Sequence, residues 1–213
     1  MIFLTDIWGI RPANIGMAKR LAEKGFAVLM PNVFHRYSRI QPNGWKPDDE
    51  SQMHKALQIL FGTLTAEQMV SDGAAHTDFL LAQVGVKPGK IGVVGYCFSG
   101  QMALRIAAAE PDHVAAAASF HGGFLVTGKP GSLHTVIPRV KARLYFGHAV
   151  EDGTARPGRS RPWKTRCAPG MARSRARCMR VPSMVGRCRT SLSTTSFRRN
   201  GRSRSWSNCS TPR

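Results

Sequence analysis

The sequence predicts an α/β domain, a mostly parallel sheet flanked by helices, and three observations carry that prediction. Short apolar runs at 2–4, 26–30, 91–95, 114–120 and 144–147 alternate with longer helical stretches, the pattern of βαβ units. Several of these runs are apolar throughout rather than alternating, as strands covered on both faces are. All 12 acidic residues and all 7 histidines lie at or before Asp152, so the foldable part ends near that position.

Each element has its own reason. Ile2-Phe3-Leu4 is a buried strand ending at Thr5-Asp6. Pro12 opens a helix to about Lys24, with Ile15, Ala18, Leu21 and Ala22 on one face and Gly25 as its C-cap. Phe26–Met30 is a second strand, stopped by Pro31, and right-handed crossover makes the pair parallel. Residues 31–50 are polar and form a long loop. Helices follow at about 51–61 and 66–84, the second capped by Thr65 with Gln68 three residues on. After the turn at Lys87-Pro88-Gly89-Lys90 come a strand at 91–95, an alanine-rich helix at 99–110, and strands at 114–120 and 144–147.

Charge divides the chain sharply. Of its 213 residues, 1–152 hold 15 Lys and Arg against 12 Asp and Glu, a net of +3. Residues 153–213 hold 16 basic residues and no acid, and only Lys164 among them is not arginine. Such a segment cannot bury enough apolar surface to fold, so 1–152 reads as the domain and 153–213 as a disordered basic tail. No apolar run approaches the ~20 residues of a membrane span, and the start lacks the basic flank of a secretory signal. Five cysteines, at 97, 167, 178, 188 and 209, form no CxxC pair and four have no accompanying histidine, which argues against zinc and against a disulfide framework. A cytoplasmic location follows by default.

The chemistry concentrates at Gly95-Tyr96-Cys97-Phe98-Ser99-Gly100, where a strand runs through small-x-nucleophile-x-small-small into a helix. That is a nucleophile elbow. The tight turn leaves no room for branched residues at Gly95, Ser99 or Gly100, and it lifts the Cys97 sulfur above the sheet onto a helix N-terminus. There the helix dipole favours the thiolate, and the Phe98 N–H points at a developing oxyanion. The alternative is a buried structural cysteine, a common fate for an isolated one. Agreement of the strand, the glycines and the helix favours the elbow.

With these residues in view, the chain resembles the dienelactone hydrolases, the cysteine-nucleophile branch of the α/β-hydrolases. The resemblance extends over 1–152: Thr5-Asp6-Ile7-Trp8-Gly9-Ile10-Arg11, Pro31-Asn32-Val33-Phe34-His35-Arg36, Phe120-His121-Gly122-Gly123 and Tyr145–Asp152 follow in the family's order. It implies an incomplete α/β-hydrolase whose Cys97 attacks a small lactone or ester and whose Asp152 orients a catalytic histidine, with Glu151 as a second choice. It also implies an oxyanion hole of the Ile7 and Phe98 backbone N–H groups. Asp6 stands where the family often carries a glutamate touching the resting thiol, one methylene longer. Arg36 either binds a substrate carboxylate or is a solvated surface arginine. No metal or organic cofactor is implied, and the oligomeric state is left open.

One part is missing. In this fold the order is nucleophile, acid, histidine, yet no histidine follows Asp152. His121 reads as a structural residue near the pocket and His148 as a loop residue. The tail's composition is that of a GC-rich gene read in the wrong frame. Moving the frame one base back forces Glu at Trp163–Lys164 and Gly at both Met171–Ala172 and Met184–Val185. It also permits an amphipathic helix over 162–172 and His-Gly-Trp near 183. A frame change between about Gly153 and Pro162 is therefore expected, and the family's additional early strands would make Met1 an internal start. Two other readings stand beside the impaired hydrolase. One is an inactive pseudo-enzyme fragment. The other is nonspecific nucleic-acid binding by the tail, which has the charge for phosphate contacts but neither RS or RGG repeats nor many aromatics.

Overall fold

The computed structural model describes residues 1–38, 49–127, 130–149 and 175–179. Its centre is a five-stranded, fully parallel sheet of order β1-β2-β3-β4-β5: Ile2–Leu4, Ile91–Tyr96, Val114–Phe120, Arg143–Ala149 and Arg175–Met179. Helices α1 (Pro12–Ala22), α2 (Glu50–Thr63), α3 (Ala66–Leu81) and α4 (Ser99–Ala109) fall between strands. Ile2, Leu4 and Val93 join the main core with Met102, Leu104 and Ile106 of α4 and Met69 and Leu80 of α3. Phe3 and Tyr96 alternate to the other face, where a ladder of rings crosses four strands: Phe3–Tyr96, Tyr96–Phe120 and Phe120–Tyr145 at centroid distances of 5.1, 5.3 and 5.3 Å.

Helix boundaries follow local chemistry. Thr65 and Gln68 close the expected capping box on α3. Asp49, within the stretch expected to be loop, caps α2 by accepting from the Ser51 and Gln52 N–H groups. Helix α4 is buried from Ser99 to Ala107 because α3 covers it on the side away from the sheet. Gly73 makes that packing close: a Cβ there would lie 2.3 Å from Ile106 Cγ1.

Three expectations need correction. Helix α1 turns Asn14 inward, with Met17, Ala18 and Leu21 half-buried, while Ile15 is 41% exposed and Ala22 exposed. The inward stripe is therefore 14, 17/18, 21, one residue removed from the apolar reading. Phe26–Met30 is not a full strand. Phe26 N–H still donates to Leu21 O at the end of α1, and only Leu29 bridges Ile2. Two backbone bonds hold it there, Phe3 N–H to Leu29 O at 2.8 Å and Leu29 N–H to Met1 O at 2.9 Å. Finally, 175–179 lies within the segment expected to be disordered, yet it forms β5 in register with Tyr145–Ala149. A parallel ladder is built from backbone groups, and edge strands accept charged residues readily. The remainder of 153–213 lies outside the described residues.

The Gly73–Ile106 contact predicts a change of sign. Gly73→Ala should destabilise the protein to urea despite a helix-propensity gain of about 1 kcal/mol. In an Ile106→Ala background, the same substitution should stabilise it.

Candidate active site

Strand β2 ends at Tyr96 and α4 begins at Ser99, leaving two residues to turn the chain. Cys97 makes the turn with φ +56°, a left-handed conformation unusual for a residue with a side chain. Backbone bonds hold it there. Cys97 N–H donates to Phe120 O at 2.9 Å, and Cys97 O accepts from Gly100 N–H and Gly123 N–H, both at 3.1 Å. The small neighbours follow from this geometry. A Cβ on Gly95 would sit 2.1 Å from Ser99 O, and one on Gly100 would sit 2.4 Å from Ser119 Oγ. Cys97 itself is half-buried and forms no disulfide among the described residues.

Two backbone donors flank the elbow in chain terms. Ile7 follows β1 and Phe98 precedes α4, and both residues are nearly fully buried. Neither N–H has an acceptor among the described residues. Buried unmatched donors are rare unless something else satisfies them. The two segments are joined by Ser99 Oγ, which bonds both to Tyr96, beside Cys97, and to Leu4 O, three residues before Ile7.

The loop after β1 is shaped by Asp6. One carboxylate oxygen accepts from Trp8 N–H at 3.0 Å and the other pairs with Arg11, while Asp6 O accepts from Gly9 N–H. The carboxylate thus organises its own loop. Arg36, to which the sequence assigns no partner, forks onto Asp72 of α3: Nε to Oδ2 at 3.0 Å and Nη2 to Oδ1 at 2.7 Å. That pairing holds the Arg36 pKa above its ordinary value, against a smaller opposing effect of desolvation. His35 Nε2 lies 3.5 Å from Asp72 Oδ2, and the His35 and His76 rings meet edge to face at 6.2 Å. Burial drives the His76 pKa below its usual range, with His35 assisting and Asp72 opposing. Burial also raises the Tyr96 hydroxyl to about 12, Arg20 acting against it.

The structure therefore gathers Cys97, Phe98 and, through Ser99, the segment leading to Ile7. It ties Asp6 and Arg36 to Arg11 and Asp72. Asp152 and Glu151 lie outside the described residues; His148 is placed in β4, and His121 follows β3 with φ +52° and its N–H on Gly147 O at 2.7 Å. Asp72 and Ser99 are the residues that sequence reasoning missed. An acid four residues from His76 on a helix facing the loop at 35–36 was the available signal for Asp72, and Ser99 was read for its size alone. Among the described residues, no cluster of three or more His, Cys, Asp or Glu side chains could hold a metal ion, and no helix is long and apolar enough to cross a membrane.

The buried His76 gives a pH dependence with a definite sign. Its folded pKa lies below the unfolded value of about 6.5, so on acidification the unfolded chain takes up this proton first. Its contribution to stability is therefore lost as pH falls below about 6.5. The melting temperature should decline from pH 7.5 to 5.5, and His76→Gln should flatten part of that slope.

The family model described as the dienelactone hydrolase family matches residues 1–160. A carboxymethylenebutenolidase of Rhodococcus opacus is 31% identical over 142 residues, covering 67% of this chain and 50% of its own. One from a Pseudomonas species is 29% identical over 107 residues, covering 48% and 42%. The chain thus spans about half the length of these two relatives. Among solved structures, a dienelactone hydrolase-like promiscuous phosphotriesterase from metagenomic libraries superposes with a TM-score of 0.64 at 20% identity, over 84% of this chain and 68% of its own, a likeness of fold. With three quarters of its residues matched by one family model and an elbow built around Cys97, the chain belongs to the dienelactone hydrolase family.

Proposed function

We propose that the chain is a hydrolase of small lactones or esters that works through Cys97. One observation carries the reading: Cys97 sits left-handed at φ +56° at a buried strand-to-helix turn, and the Phe98 N–H that follows it has no acceptor among the described residues. The thiolate sulfur attacks the ester carbonyl carbon, and the negative charge that develops on the oxygen falls to the Ile7 and Phe98 N–H groups. The C–O bond then breaks, the alkoxide leaves with a proton, and the acyl group remains on sulfur as a thioester. Water cleaves the thioester to release the acid and regenerate the thiol.

Proton transfer is the step this chain is least equipped for. Asp152 would orient an imidazole, and 153–213 contain none. Acyl uptake on Cys97 is therefore faster than its release. Arg36, neutralised by Asp72, contributes less to binding a substrate carboxylate than an unpaired arginine would.

The test follows p-nitrophenolate release from p-nitrophenyl acetate, with peptide mass spectrometry to locate the acetyl group. A burst near one equivalent, acetyl on Cys97 and slow turnover are expected. Cys97→Ala should lower the burst rate by at least about a hundredfold. A burst surviving in that variant, or acetyl confined to the other cysteines, would overturn the proposal.

A further inference from the structure

We infer that the Ser99 hydroxyl is a spacer set into the β1–β2 ladder, and that it fixes the separation between the two backbone donors of the acyl site. The inference rests on the proposed acyl-transfer reading and adds a positioning residue to it. The β1–β2 register runs Ile2↔Val93, Phe3↔Val94, Leu4↔Gly95. One residue further, Tyr96 N–H donates to Ser99 Oγ at 2.9 Å, and that oxygen lies 3.1 Å from Leu4 O and 2.9 Å from Tyr96 O. A hydroxyl has one proton and two lone pairs, so it can accept from Tyr96 N–H while donating to Leu4 O or Tyr96 O. A side-chain oxygen thus bridges the ends of the two strands and sets how far apart they lie.

The position gives the spacer its consequence. Tyr96 immediately precedes the nucleophile and lies two residues before Phe98, while Leu4 lies three residues before Ile7. Ser99 is fully buried, and Gly95 lets its backbone press against β2: a Cβ at Gly95 would meet Ser99 O at 2.1 Å and Ser99 C at 2.6 Å. Neither end of the bridge can drift without moving a donor. Since an oxyanion accepts well only from donors at hydrogen-bond distance, a shift of a few tenths of an ångström weakens the site without touching the sulfur.

Two reactions of the same atom separate this role from a general structural one. Acetylation of Cys97 by p-nitrophenyl acetate needs the oxyanion donors, whereas alkylation by iodoacetamide needs only an accessible thiolate. Both are read on the full chain by peptide mapping of Cys97. Ser99→Ala leaves a void about the size of one oxygen, too small for water, and should slow acetylation about tenfold or more while alkylation stays within about twofold. Ser99→Gly opens room for a water to take the hydroxyl's place and should recover part of the loss.

Amide hydrogen exchange at Tyr96 supplies a readout independent of turnover, and Ser99→Ala should lose protection there. Unchanged acetylation with unchanged Tyr96 protection would overturn the spacer, as would equal losses of acetylation and alkylation. If the unsubstituted chain takes up no acetyl group, the hydrolase reading fails. Tyr96 exchange then decides the spacer alone.

Discussion

The left-handed turn at Cys97 is the constraint around which the rest is arranged. Such a conformation costs on the order of 1–3 kcal/mol and persists only where its surroundings over-determine it. Here they do so from three directions. Strand β3 supplies Phe120 O, the loop after it supplies Gly123 N–H, and the first turn of α4 supplies Gly100 N–H. Three glycines then follow as necessities. A side chain at Gly95 would strike Ser99, and one at Gly100 or Gly122 would strike Ser119, whose hydroxyl is fully buried and has no partner among the described residues.

Electrostatics supports the same region from its margins. Asp6 and Arg11 fold the loop after β1 back on itself, and Asp72 gathers Arg36 and His35 against α3. Both carboxylates end up engaged with protein cations. Both carboxylates are in this way committed to holding loops in place.

Much of this was legible in the sequence because it is local. Gly95, Cys97 and Gly100 lie within six residues, and the turn they make follows from sterics alone; the same holds for the capping box at Thr65 and Gln68. What escaped depends on distance or on phase. The Arg36–Asp72 pair joins residues 36 apart, and no local pattern couples them. The inward face of α1 is centred on Asn14, a polar residue that a hydrophobic stripe cannot reveal. Ser99 reads as merely small, because the carbonyl it meets on Leu4 lies 95 residues away. Strand β5 was invisible for a different reason: its partners are backbone groups, and its composition speaks against burial.

The strand order has one more implication. From β1 through β5 each new strand docks beside its predecessor, so the sheet widens in the direction in which the polypeptide leaves the ribosome. The backbone bonds that Phe120, Gly100 and Gly123 make to Cys97 all come from residues ahead of β4. These bonds can therefore form while β4 and β5 are still being synthesised, and what the later codons specify is added to an edge that already exists.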